Sequence, residues 1–189
     1  MDHAAFVVIL VFVFARLIGQ LAIAIATGVS FKTKAHSPGK SMAYMLIGSV
    51  TLAFYLIEGG PTNHLFPQSI RLIGFPLIAV GLGLIFWAQM TLGRNWGGGV
   101  GLHKNHQLVT SGPYRLVRHP LYSGFCLAAI GIVLASASVV ATLGAALMTM
   151  SLLGRTSAEE ALLKQQFGKD YVEYSSRTSR LVPRIRGRS

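Results

Sequence analysis

Five apolar runs leave this chain few architectures: Ala4–Val29, Met42–Ile57, Leu72–Leu92, Leu121–Ala135 and Val139–Leu153. A helix needs about 20 apolar residues to cross the hydrocarbon of a bilayer. Lipid offers the backbone no hydrogen-bond partner, so a spanning segment must be helical or part of a closed barrel. The first and third runs reach crossing length alone. The first is too long for a signal peptide, and its leader, Met1-Asp2-His3, lacks a positive charge cluster. The fourth and fifth runs are separated only by Ser136-Ala137-Ser138, a link so short that it forces an antiparallel helical hairpin. Drawn back to Leu116, the fourth run also reaches crossing length. The expected fold is therefore all-α: an integral membrane helical bundle of about five transmembrane helices, the last two a helical hairpin, with a cytoplasmic C-terminal helical segment. Residues 1–189 form one domain, with three N-terminal spans in 1–92 and the chemistry in 93–189.

The charges are few and segregated. Charged residues make up 12% of the chain, about half the share of a typical soluble domain. Of its 17 Lys and Arg residues, three lie in 30–41, four in 93–119 and eight in 154–189, while the loops at 58–69 and 136–138 carry none. The positive-inside rule then places the N-terminus outside, and the C-terminus and residues 93–119 in the cytoplasm. Positive residues interleaved with apolar runs, rather than gathered on one soluble face, argue against nucleic acid as a partner. Membrane lipids are the natural partner of the five arginines of Arg177–Ser189, which read as an irregular tail against anionic headgroups. Arg16 and Gln20, four apart inside the first run, read as an interhelical hydrogen bond.

Two polar constellations carry chemistry. One is His106-Gln107-Leu108-Val109, continuing through Gly112-Pro113-Tyr114 to Arg118-His119-Pro120-Leu121-Tyr122 at the mouth of the fourth run. The other is Arg155 with Glu159-Glu160, followed by Gly168, Tyr171 and Tyr174. Structural readings stand beside the functional ones. His119 before Pro120 fits a helix cap with proline at the first helical position. Thr156-Ser157-Ala158-Glu159-Glu160 fits a capping box, so that a helix starts there and stops at Gly168, with a further turn over Asp170–Tyr174. Arg118 and Arg155 fit lipid-headgroup contacts, Tyr114 and Tyr122 an interfacial aromatic belt, and Tyr171 and Tyr174 packing. Cys126 is the sole cysteine, so no intramolecular disulfide exists, and the scattered histidines form no metal-ligand cluster. The Gly97–Gly101 run lacks dinucleotide-binding spacing.

The Gly-Pro-Tyr, Arg-His-Pro-x-Tyr and Glu-Glu pieces, in this order, resemble the isoprenylcysteine carboxyl methyltransferase and phospholipid methyltransferase family across roughly residues 90 to 183. The resemblance implies an integral membrane methyltransferase that binds S-adenosyl-L-methionine in a cytosol-facing pocket of the last helices. It implies cofactor contacts from His106, Gln107 (through its backbone), Leu108, Val109, Tyr114, His119, Pro120, Leu121, Tyr122 and Glu159, and an acceptor-orienting, catalytic role for Arg155. The residue chemistry agrees in type. Arg118 or His119 suits the cofactor's carboxylate, Glu159 its ammonium or ribose hydroxyls, and Leu108, Val109 and a tyrosine its adenine.

The acceptor implied is a lipophilic or lipidated molecule entering from the bilayer, with an isoprenylcysteine-like carboxylate favoured by Arg155. A phospholipid amine or small thiol would need a base. A sterol-reductase-type enzyme using NADPH and a non-enzymatic lipid-binding scaffold are the competing classes.

Overall fold

A computed structural model describes residues 66–93 and 107–184. The expected first two spans, the loop at 30–41, the Gly97–Gly101 run, His106 and the last five residues lie outside the described residues. Three helices are described: α1 (Gln68–Leu92), α2 (Pro120–Ser136) and α3 (Val139–Arg177), with a 3-10 turn at Gly112–Arg115. Among the described residues the architecture is all-helical. The one β feature is an isolated parallel bridge between Val117 and Ser179.

α1 and α2 pack antiparallel along a seam of small residues. α1 buries Gly74, Ile78, Gly81, Ile85 and Ala88, and α2 buries Gly124, Ala128, Gly131 and Ala135, in alternating steps of three and four that keep one face inward. Gly74 lies against Gly131, and Gly81 against Gly124. A Cβ at Gly74 would sit 2.4 Å from the Gly131 carbonyl oxygen, and one at Gly81 would sit 2.6 Å from that of Gly124. Small residues let backbones approach closely, which matters in lipid because apolar surface gains little by leaving an apolar solvent. Leu72, Val80 and Met90 of α1 and Ile130 of α2 point outward, each more than half exposed. Pro76 is accommodated inside α1. Arg71 donates from Nε to the Ala135 carbonyl at 3.2 Å, meeting one of the carbonyls that the end of α2 leaves without a helical partner.

The hairpin link holds: α2 ends at Ser136, Ala137 takes a left-handed conformation (φ 49°) and α3 starts at Val139. Two boundaries differ from the sequence expectation. α2 does not extend back to Leu116. Its 17 residues span about 25 Å, because His119, the residue before Pro120, is held out of the helical region at φ −124°, ψ 63°; before it Gly112 adopts φ +56° and opens the 3-10 turn. A side chain at Gly112 would also strike Thr91, so glycine is required there twice over. Nor does a new helix begin at Thr156. α3 runs through from Val139, and Thr156 is buried with its hydroxyl donating back to the Leu153 carbonyl at 2.8 Å, as an interior residue does. The expected stop at Gly168 is a kink (φ 49°, ψ −117°), beyond which helical structure resumes to Arg177.

The seam makes a separable prediction. Gly81→Ala places a methyl against backbone and should destabilise by about 1–3 kcal/mol. Gly83→Ala, where nothing lies within 4 Å, should be neutral or stabilise by up to about 1 kcal/mol. Thermal unfolding in detergent checks both, and equal shifts for the two would contradict the close crossing.

Candidate functional site

Beyond its apolar part, α3 meets the strip before α2 and a C-terminal strap. The strap, Thr178–Leu181, runs beside residues 117–119. The Arg118 N–H donates to the Ser179 carbonyl at 2.8 Å, and the His119 N–H to the Arg180 carbonyl at 3.0 Å. The Ser123 hydroxyl donates to the Leu181 carbonyl at 2.6 Å, and the Tyr174 hydroxyl to the Tyr114 carbonyl at 2.7 Å. The strap therefore differs from the lipid-bound tail expected from its arginines. Thr178 is buried, and Ser179 and Arg180 complete the backbone hydrogen bonding of the strip.

Glu160 is the point where these three pieces meet. Its Oε1 accepts from Arg118 Nε at 3.0 Å, from His119 Nε2 at 3.1 Å and from Arg180 Nε at 3.1 Å, while Oε2 accepts from Arg180 Nη2 at 2.5 Å. Arg118 also donates through Nη1 to the carbonyls of Ser175 (3.0 Å) and Thr178. The Glu160 and Arg118 side chains are each 14% exposed, so the pair lies largely out of water.

Glu159 serves the other side of His119. Its Oε1 accepts from the Tyr122 hydroxyl at 2.5 Å, and its Oε2 lies 3.7 Å from His119 Nδ1. The His119 and Tyr122 rings stack with centroids 5.6 Å apart. His119 is the N-cap of α2 with Pro120 at the first helical position, so the cap reading and the polar-cluster reading of this residue hold together. Its backbone carbonyl accepts from the Ser123 N–H, while its ring, uninvolved in capping, turns toward the two glutamates.

Burial lowers the His119 pKa from 6.5, and the Glu160 bond opposes that shift without reversing it. In the neutral ring, the 3.1 Å contact of Nε2 with Glu160, shorter than the 3.7 Å approach of Nδ1 to Glu159, favours the proton on Nε2. In that tautomer Nδ1 presents a lone pair 3.7 Å from Glu159 Oε2. Burial likewise raises the Tyr114 hydroxyl well above 10, so it is a neutral hydrogen-bonding group.

The remaining expected site residues fall as follows. Leu108, Val109, Leu121 and Tyr122 are half-buried, Tyr114 and Pro120 are buried, and Gln107 is exposed in the irregular stretch before the turn. Arg155 lies one helical turn before Glu159, and its charge bears on both Glu159 and Tyr122. Thus Tyr114, Arg118, His119, Tyr122, Arg155 and Glu159 gather at one end of the hairpin, and His106 lies outside the described residues. Sequence reasoning passed over Glu160 as a site residue and Arg180 entirely. Glu160 stood in the Glu-Glu pair, but the pair alone does not say which member turns to which partner. Arg180 had no signal beyond being one arginine in a basic tail.

Comparison with known proteins matches residues 72–165 to the isoprenylcysteine carboxyl methyltransferase (ICMT) family. The match reaches back over nearly all of α1 and stops short of the strap. The chain is 31% identical over 147 residues to protein-S-isoprenylcysteine O-methyltransferase A of Arabidopsis thaliana, covering 74% of this chain and 73% of that protein. It is 29% identical over 144 residues to a probable protein-S-isoprenylcysteine O-methyltransferase of Oryza sativa subsp. indica, covering 72% and 75%. Its fold is similar to the solved structure of a eukaryotic intramembrane Ras methyltransferase, ICMT, with a TM-score of 0.57 and 25% identity. That likeness covers 89% of this chain and 62% of the solved one. Two of the described helices, α1 and α3, are long and apolar enough to cross a membrane. Together these findings make the chain an integral membrane methyltransferase, and it belongs to the isoprenylcysteine carboxyl methyltransferase family.

Proposed function

We propose that this enzyme transfers the methyl group of S-adenosyl-L-methionine to the carboxylate of a lipophilic acceptor, an isoprenylcysteine or a similar lipidated acid, at the cytoplasmic face of its membrane. The observation that carries the proposal is the placement of His119 Nδ1 and Glu159 Oε2 3.7 Å apart beside Tyr122. Two acceptors at that spacing suit one shared donor, such as an ammonium or a hydroxyl, and the methyl donor carries both. The half-buried Leu108 and Val109 and the phenol rings of Tyr114 and Tyr122 suit a flat apolar base.

When bound, S-adenosyl-L-methionine supplies a methyl carbon already activated by its sulfonium. An acceptor carboxylate held beside it would receive that methyl group as an ester, and the thioether would leave with the C–S electron pair. The acceptor is already deprotonated at neutral pH, so no base is required. The task left to the protein is placement and exclusion of water. Arg155 suits the acceptor end. It is one turn nearer the apolar part of α3 than Glu159, about 6 Å along the axis, so a carboxylate entering from the bilayer meets its guanidinium before it meets the glutamates. A guanidinium can hold one carboxylate oxygen and leave the other to react. Arg118 suits the cofactor's carboxylate less well than sequence chemistry suggests, because its Nε and Nη1 already serve Glu160, Ser175 and Thr178.

Alanine at His119 or Glu159 should weaken binding of S-adenosylhomocysteine by about tenfold or more, the scale of one lost charge-assisted hydrogen bond. Arg155→Ala should leave that affinity within about twofold and cut turnover of a farnesylcysteine acceptor by at least about 100-fold. Calorimetry and a radiolabelled methyl-transfer assay separate the two effects, and full-strength binding after both His119→Ala and Glu159→Ala would refute the site. The titration of His119 adds a pH test. Its folded pKa lies below the ordinary 6.5, so the neutral ring, and the stability it confers, are fully present above about pH 6.5 and decline as pH falls through the lowered value. Affinity for S-adenosylhomocysteine should therefore be flat from pH 7 to 8 and fall in the acid range, and His119→Asn should abolish the decline.

A further inference from the structure

The Arg180 side chain is 44% exposed, and exposed ion pairs ordinarily add about 1 kcal/mol or less to stability. Its geometry is nevertheless two-pointed. Nε and Nη2 reach Oε1 and Oε2 of Glu160 at 3.1 and 2.5 Å, a fork-to-fork grip that fixes the carboxylate plane, whereas Arg118 meets Glu160 through Nε alone. The same residue holds the backbone of its neighbour, since the Arg180 carbonyl accepts the His119 N–H at 3.0 Å. One residue thus sets both the position of the His119 ring and the position of the acceptor for its proton. The strap that carries it lies beyond residues 72–165, the part matched by the family model.

We propose that Arg180 is a positioning residue: it locks the Glu160 carboxylate so that Oε1 accepts the hydrogen bond from His119 Nε2–H and the Nδ1 lone pair is presented beside Glu159. The ligand that would use this lone pair rests on the function proposed above, but the tautomer itself does not. Without Arg180, Glu160 keeps single-point contacts to Arg118 and His119 and gains rotational freedom. The buried ring can then shift its proton to Nδ1, facing Glu159 Oε2, and the acceptor pair is lost.

The test uses the full chain in lipid nanodiscs, labelled with 15N-histidine, with His119→Asn identifying the His119 signals. Two-bond 1H–15N correlation should show the Nε2–H tautomer in the unaltered protein. Arg180→Ala and Arg180→Gln should give mixed tautomers and bind S-adenosylhomocysteine about tenfold more weakly, the scale of one misplaced hydrogen bond. Arg180→Lys, which keeps the charge without the fork, should fall between. Arg177→Ala, which breaks a single-contact ion pair to Glu173 outside the cluster, should change neither reading. Should Arg180→Ala fail to fold, the glutamine and lysine variants carry the test. An unchanged Nε2–H pattern in these variants overturns the proposal, whatever happens to affinity. If the unaltered protein does not bind S-adenosylhomocysteine yet the tautomer still shifts on loss of Arg180, the positioning role stands and the cofactor assignment falls.

Discussion

Glu160 is the carboxylate on which the C-terminal half of this structure closes. Taking a charge out of water costs several kcal/mol unless it is paired and its remaining lone pairs are satisfied. Glu160 meets that condition by collecting partners from two chain segments: Arg118 and His119 of the strip before α2, and Arg180 of the strap. Neither segment has much regular structure to hold it. The strip is a 3-10 turn followed by extended backbone, and the strap pairs with it through a single β-bridge. A half-buried carboxylate on a rigid helix supplies what they lack, a fixed point with directional demands. The dependence is mutual, since Glu160 is tolerable there only while its donors remain.

The seam between α1 and α2 does the corresponding work within the apolar part. Where lipid replaces water, burial of large side chains gives little drive, and contact must come from close approach. Gly74, Gly81, Gly124 and Gly131 allow it, with Ile78 and Ile85 filling the turns between. The seam positions the site as well. Continued past Gly124, it delivers Pro120 and His119 to the end of α2, and Thr91 at the end of α1 lies against Gly112, the glycine that begins the turn into Tyr114. A shift of one helix on the other would move the whole strip relative to α3.

How much of this was legible depended on whether a feature was local. Pro120 after His119, the Ser136-Ala137-Ser138 link and Gly168 act through their own backbone, and each marks a real boundary or kink. Thr156-Ser157-Ala158-Glu159 has the letters of a capping box, but the helix was already running. Propagation adds a hydrogen bond per residue, so a good starting signal inside an existing helix starts nothing. The extension of α2 back to Leu116 failed for the opposite reason: hydropathy favoured it, and Pro120, which keeps His119 out of the helical conformation, with the competing strap prevented it. Glu160 and Arg180 were illegible because their significance is relational. A carboxylate becomes a hub through partners 20, 41 and 42 positions away, and no periodicity encodes that. The family resemblance marked the Glu-Glu pair without saying that its two members face opposite sides of one imidazole.

That division between adjacent glutamates bears on how the proposed chemistry is organised. Consecutive residues on a helix point about 100° apart, so Glu159 and Glu160 cannot serve the same partner in the same way. Glu160 faces the strap and is filled by protein donors. Glu159 faces Tyr122 and keeps Oε2 3.7 Å from the other ring nitrogen of His119. Arg155 lies on the Glu159 side, one turn toward the bilayer. Read along α3 from its apolar part outward, the order is a cation suited to an acid, a carboxylate suited to a cation or hydroxyl, and then a sealed ionic cluster. A reaction between a lipid-borne acid and a water-soluble, positively charged methyl donor calls for its groups in that sequence. The acid can then keep its hydrocarbon tail in the membrane, and the donor can arrive from the aqueous side without its charge crossing the apolar layer.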